Sequence, residues 1–210
     1  MISNIENIEL SFLSLSDYKE LKKTMVASYP TLPEMYWEES QIKKLIDIFP
    51  EGQVVIKVNN QIAGCALSII VDYDLFEDGH TYDEVTGKET FSTHTNDGDR
   101  LYGIDVFIKP DFRGLRLGRR LYDYRKELAE RWNLKGVAFG GRIPNYHKYK
   151  EELTPKEYID KVRKKEIHDP VLNFQISNDF HPSKVMRNYL KGDTDSEDIA
   201  VLLEWDNVLY

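Results

Sequence analysis

The sequence predicts an α/β (α+β) domain, a sheet of about seven strands flanked by helices. Short Val- and Ile-rich runs alternate with longer segments of helical period, and prolines and glycines mark most junctions between them. At 210 residues the chain suits one domain, residues 1–210, with a core of ordinary size.

The elements follow in order. Ile8 to Leu15 alternates as a first strand, and Asp17 with Glu20 spells a capping box for a helix running to about Ser28. The tract YPTLPEMYW breaks that helix at Pro30 and Pro33. A second helix, from about Glu38 to Ile48, sets Ile42, Leu45, Ile46 and Phe49 on one face before Pro50 stops it. Val54 to Val58 and Gln61 to Val71 form a hairpin through Asn59-Asn60, residues that tolerate positive φ. A polar stretch, 72–100, then carries nine acids, among them Glu77, Asp78 and Asp99, against Lys88 and Arg100. So long a connection is expected to be functional or disordered. It serves either as an acidic wall for a cationic ligand or as a solvated flap, and its aromatics Tyr73, Phe76, Tyr82 and Phe91 suggest packing.

Leu101 to Ile108 is the fourth strand. A helix from Leu117 to Trp132 follows, with Leu117, Leu121, Tyr124, Leu128 and Trp132 as its apolar stripe. Gly136 to Arg142 is the fifth strand, and Gly140-Gly141 suits a bulge or a close approach. An insertion, 144–167, contains a helix opened by Thr154-Pro155 and Glu157. Asp169-Pro170 opens another, through Asn178, and Phe180 to Leu190 and Ile199 to Trp205 are the last strands.

The most informative run is LYGIDVFIKPDFRGLRLGRRL, 101–121, in which a strand meets a Pro, a basic glycine-bearing turn and a helix. A helix N-terminus offers unpaired N–H groups and a positive dipole end, so the turn is a natural pyrophosphate cradle, with Gly114 and Gly118 giving close backbone approach. Arg113, Arg116 and Arg120 add guanidinium donors around its first turn. A dinucleotide fingerprint is excluded, because neither its glycine spacing nor its ribose-binding acid is present.

Val106, Ile108, Pro110, Asp111, Phe112, Arg113, Gly114 and Gly118 resemble the V-x-P-x-[YF]-R-G-x-G-x-G run of the GNAT superfamily of N-acetyltransferases, with Arg116 replacing the middle glycine. The runs IFPEGQ, EDGHTYDEVTG, DGDRLYGIDV, LGRRLY, GGRIPNYHKY, DPVLNFQ and LLEWDN are similar to GNAT domains joined to a carbon-nitrogen hydrolase domain, which these residues do not include. The resemblance implies a mixed, mostly antiparallel sheet whose fourth and fifth strands splay apart to admit acyl-pantetheine. It implies acetyl-CoA as cofactor and transfer of acetyl to an amine of a small-molecule or peptide acceptor. Val106, Phe107 and Ile108 would bind pantetheine by main chain, and Arg113, Gly114, Leu115, Arg116, Leu117, Gly118 and Arg119 the pyrophosphate. The family's usual acid, a Tyr five residues before the Phe of a final N-G-F, is Gln175 here. Tyr122, Tyr146 and Tyr149 stand nearby, and nothing in the sequence separates them from core or surface tyrosines.

Asp105, inside an apolar strand, is a candidate base, since burial should raise its pKa. The competing reading is a carboxylate satisfied by an Arg such as Arg142, and the alternative base is a water chain held by the acidic segment, including Asp99. The alternative for the whole chain is a catalytically weak acyl-CoA-binding or interaction module, favoured by Gln175 and Arg116.

The formal net charge of −8 argues against a nucleic-acid binder and suits a cationic acceptor. No apolar run approaches the roughly twenty residues of a membrane span, and MISNIENIEL lacks the pattern of a signal peptide, so the expected location is cytoplasmic. Cys65 lies in an apolar run and is expected as a core residue. The five histidines show no metal-ligand spacing, so no metal is expected. The final strands could pair across a homodimer.

Overall fold

The computed structural model describes residues 5–30, 36–76 and 79–210; Pro33, Glu77 and Asp78 lie outside the described residues. Seven strands form one sheet: β1 (Ile8–Phe12), β2 (Gln53–Val58), β3 (Gln61–Val71), β4 (Arg100–Ile108), β5 (Gly136–Arg142), β6 (His181–Met186) and β7 (Ala200–Asp206), in the order β1-β2-β3-β4-β5-β7-β6. The helices are α1 (Tyr18–Ser28), α2 (Glu39–Ile48), α3 (Tyr82–Thr86), α4 (Leu117–Arg131), α5 (Pro155–Arg163) and α6 (Pro170–Ile176). Every strand pair is antiparallel except β4 with β5.

The sheet separates two apolar layers. On one side Leu21, Met25, Ile42 and Leu45 of α1 and α2 pack on Cys65, Leu67 and Ile69 of β3. On the other, Leu117 and Leu121 of α4 pack on Val54 and Ile56, while Tyr122 and Leu128 pack with Val137 and Phe139. The Asn59-Asn60 hairpin forms as expected, both residues having positive φ, 48° and 64°. Cys65 is buried.

Several local expectations are corrected. Asp17 does not cap α1 with Glu20: its carboxylate accepts from the Ser14 amide at 3.1 Å and pairs with Lys57 at 2.9 Å, while Glu20 accepts from the Ile62 amide at 3.0 Å. Both acids are drawn to β2–β3 by tertiary contacts that outrank the local cap. Residues 72–100 are no structureless flap. Tyr73, Tyr82, Val85 and Phe91 are buried in the α1–α2 layer, and α3 carries its own capping box from Thr81 and Glu84. Asp99 is structural, accepting from the Tyr73 amide at 2.7 Å and pairing with Lys135 at 2.9 Å. Gly140-Gly141 makes no bulge, because β5 stays in register with β7 through Arg142. The buried face of α4 is Leu117, Gly118, Leu121, Tyr122, Arg125, Leu128 and Ala129, so the apolar stripe is interrupted by a charge. Phe180 to Leu190 is strand only over β6, which forms one edge of the sheet, and β7 is interior.

Candidate active site

Strands β4 and β5 pair only where Arg100, Leu101 and Tyr102 face Gly136, Val137 and Ala138. Beyond Tyr102 they diverge, and the edge of β4 from Gly103 to Ile108 faces a cavity of about 550 Å³ instead of a neighbouring strand. The register of β3 with β4 slips between Leu67 and Ser68, leaving Ile104 as the extra residue of a bulge that re-aims Asp105 and Gly103.

At one end the cavity reaches the turn before α4. Gly114 has φ 86° and Arg116, the residue before the helix, φ 58°. Arg116 therefore adopts the left-handed conformation that glycine supplies elsewhere, at a strain of about 1 kcal/mol. A Cβ at Gly114 would meet nothing within 4 Å, and no side chain caps α4. The first amides of a fifteen-residue helix thus remain available to an anion, with Arg113 and Arg116 beside them.

Of the residues singled out in the sequence, Asp105, Val106, Phe107, Ile108, Arg113, Gly114, Arg116, Leu117 and Gly118 all line this cavity; Leu115 and Arg119 do not. Leu115 packs instead beside Phe112 and Leu117, and the side chain of Arg119 leans toward Asp123 at 3.9 Å. Gly118 is tight for a different reason from the one its place in the turn suggests. A Cβ there would lie 2.6 Å from the ring of Phe174 on α6 rather than in open space.

Asp105 is almost wholly buried and is not paired with Arg142. Its two oxygens accept from the Tyr29 hydroxyl at 2.7 Å and from Trp37 Nε1 at 2.9 Å. Arg142 instead grips Asp193 in a bidentate pair at 2.6 and 2.5 Å. Burial pushes the Asp105 carboxyl above the ordinary carboxylate range, against the opposing pull of its two donors. Sequence reasoning missed Tyr29 and Trp37, which lie in the proline tract where only breakers were visible.

Gln175 lines the wall at the position of the usual acid, its Oε1 only 2.4 Å from where a Cβ on Gly141 would stand. Asp169 fixes this helix: one oxygen accepts from the amides of Val171 and Leu172, the other from the Tyr158 hydroxyl at 2.7 Å and the Asn145 amide at 3.1 Å. Among the tyrosines, Tyr122 lines the cavity and burial raises its phenol to about 12. Tyr146 faces away, donating to the Leu153 carbonyl, and Tyr149 packs on Tyr158. Tyr189, which the sequence did not mark, also lines the cavity. Its hydroxyl is 2.8 Å from that of Tyr102, which in turn is 2.8 Å from His80 Nε2.

A second cavity of about 810 Å³ adjoins the first, sharing Tyr82, Tyr189 and Leu190 with it. Asp83, Glu89, Asp193 and Asp198 line it against the single cation Lys191. Two of these acids come from the 72–100 segment and two from the turn between β6 and β7. Among the described residues no group of acids, histidines and cysteine is arranged to hold a metal ion. No helix among them is long and apolar enough to cross a membrane.

A split parallel pair of strands, with a glycine turn and an uncapped helix at its mouth, defines an acyl-CoA-type acetyltransferase fold, and residues 18–149 match the acetyltransferase (GNAT) family. The chain belongs to that family. It is 40% identical over 193 residues to the Bacillus subtilis protein "Probable hydrolase YhcX", covering 91% of this chain and 38% of that one. It is 34% identical over 182 residues to "Uncharacterized N-acetyltransferase YkwB" of the same organism, covering 86% and 80%. The chain therefore spans less than half the length of the first relative. Among solved structures, the fold is similar to the GphF GNAT-like decarboxylase in complex with isobutyryl-CoA (TM-score 0.81, 18% identity, 94% and 98% covered). It is equally similar to the loading GNATL domain of CurA from Lyngbya majuscula (TM-score 0.81, 21% identity, 96% and 98% covered).

Proposed function

We propose that the chain is an N-acyltransferase that moves an acyl group directly from acyl-CoA, acetyl-CoA being the simplest donor, to a cationic amine. The observation that carries this reading is the separation of β4 from β5 after Tyr102, which gives an unpaired strand edge beside a cavity ending at an uncapped helix. The pantetheine arm would lie along Val106, Phe107 and Ile108, and the pyrophosphate at the amides of Leu117 and Gly118 with Arg113 and Arg116 alongside. The amides of Val106 and Phe107 would face the oxyanion.

The acceptor would come through the acidic second cavity, where Asp83, Glu89 and Asp198 favour an ammonium over a neutral or anionic ligand. Asp105, its carboxyl raised by burial above the ordinary carboxylate range and held by Tyr29 and Trp37, would take the proton from that ammonium. The nitrogen then forms its bond to the thioester carbonyl carbon and the C–S bond breaks; the thiolate takes a proton from a phenol of the wall, and the second proton of the nitrogen passes back to that phenolate. The buried phenols of Tyr122 and Tyr189, both held protonated above their ordinary range, are the donors on the wall that could supply the thiolate's proton.

A second reading, an acyl-CoA-binding module without turnover, is favoured by Gln175 in place of the usual phenol. One pair of measurements separates them: calorimetric titration with acetyl-CoA, then thiol release in the presence of polyamines and basic peptides. Binding with release supports the transferase, binding without release the module, and no binding overturns both.

A further inference from the structure

Arg125, on the third turn of α4, is 2% exposed and lines the cavity, yet no carboxylate lies within ion-pair distance of it among the described residues. Its Nε donates to Ser68 Oγ at 3.1 Å, and its Nη2 donates to the Leu67 carbonyl at 2.7 Å and to the Asp105 carbonyl. Those acceptors belong to the two strands flanking the β-bulge, so two main-chain carbonyls and one serine hydroxyl fix the guanidinium in position. Nη1 makes none of these bonds and lies against Gly103, where a Cβ would approach it to 2.7 Å. Gly103 thus clears the space that the guanidinium occupies, and both residues belong to the cavity wall.

A buried cation without a paired anion is costly, and burial here lowers the affinity of Arg125 for its proton. The Asp105 carboxylate is nearby but committed to Tyr29 and Trp37 in the layer of α1 and α2. Arg125 comes from the opposite layer, at the vertex where β4 and β5 part. The Tyr189 hydroxyl closes the same vertex, 2.6 Å from where a Cβ on Gly140 would stand. A pocket built for a bare methyl group would be apolar at this vertex. This one presents a fixed guanidinium and a phenol.

We propose that the closed end of the cavity is a carboxylate site, with Arg125 as its cation, so that the preferred donor is a carboxyacyl-CoA thioester. This rests on the acyl-CoA reading above and specifies its acyl group. The test is calorimetric titration of the full chain with free CoA and with four thioesters: propionyl-CoA, malonyl-CoA, butyryl-CoA and succinyl-CoA. Malonyl- or succinyl-CoA should bind at least about tenfold more tightly than the uncharged partner of equal chain length, as a charge-assisted hydrogen bond in a buried site provides. The gap should close in Arg125→Met while free CoA binds within about twofold of the parent. Should Arg125→Met fail to fold, the methyl monoester of the malonyl thioester on the unaltered protein removes the same charge and should lose the same factor. Equal or weaker binding of the carboxylated thioesters would overturn the carboxylate site while leaving the CoA site standing. Failure of free CoA and of every thioester to bind would overturn both.

Discussion

Asp105 holds a carboxyl between a phenol and an indole, and its chemistry is set by that environment. Burial disfavours the charged form, so the group ionises above its ordinary value of 3.8. If it is the base, turnover should rise with pH through an acid limb placed above the usual carboxylate range. Asp105→Asn should remove the limb and cut kcat by at least about a hundredfold, a typical scale for losing a positioned base, while free CoA binds within about twofold. A full-rate Asp105→Asn variant would exclude the assignment. Tyr29→Phe leaves the carboxylate with one donor fewer, so the limb should move further up in pH.

At the scale of elements, the contact between α4 and α6 is set by one missing side chain. Gly118 lets the Phe174 ring seat against the first turn of α4, and the ring also meets Tyr122 with centroids 5.5 Å apart. Gly118→Ala places a methyl 2.6 Å from that ring, and Phe174 must swing away. The variant should lose at most about 1 kcal/mol in urea unfolding, below the usual cost of overpacking, because the methyl meets only the outer edge of a partly exposed ring. Adding Phe174→Ala should return part of that loss, because the obstacle is gone; strict additivity of the two would refute the coupling. The bidentate Arg142–Asp193 pair, with Asp193 almost fully buried, joins β5 to the β6–β7 turn, so Asp193→Ala should cost about 2–4 kcal/mol through the charge it strands.

Across the whole molecule, two histidines tie the 72–100 segment to the core. His94 Nδ1 accepts from the Ile70 amide at 3.1 Å and its ring stacks on Phe49, while His80 meets the Tyr102 hydroxyl. Burial lowers both below 6.5, so the folded protein holds them neutral. Their contribution to stability is complete above 6.5 and is lost as pH falls through the lower folded values, since the unfolded chain takes up protons first. Urea midpoints should therefore drop between pH 7.5 and pH 5, and more shallowly in His94→Gln. A midpoint independent of pH over that interval would show that neither ring is held neutral by the fold.

The local elements were legible because each rests on short-range chemistry. The period of β2 and β3, the positive φ of Asn59 and Asn60, and the Thr154–Glu157 cap of α5 need only neighbours in sequence. The glycine turn before α4 was legible for the same reason. Asp105 stood out as a charge in an apolar strand, and α4 hid an equal signal, since Arg125 lies four residues after Leu121 on its buried face. What the sequence by itself determined was the run of strands and helices, the family, and the turn that faces the cavity. Only the tertiary structure decided who partners whom: Tyr29 and Trp37 reach Asp105 across 76 and 68 residues, and Arg142 turns to Asp193. Asp17 and Glu20 leave their local cap for β2–β3, and the acidic segment folds inward on its aromatics. Those pairings depend on chain segments brought together by burial of the core, and periodicity along one segment carries no information about the distance to another.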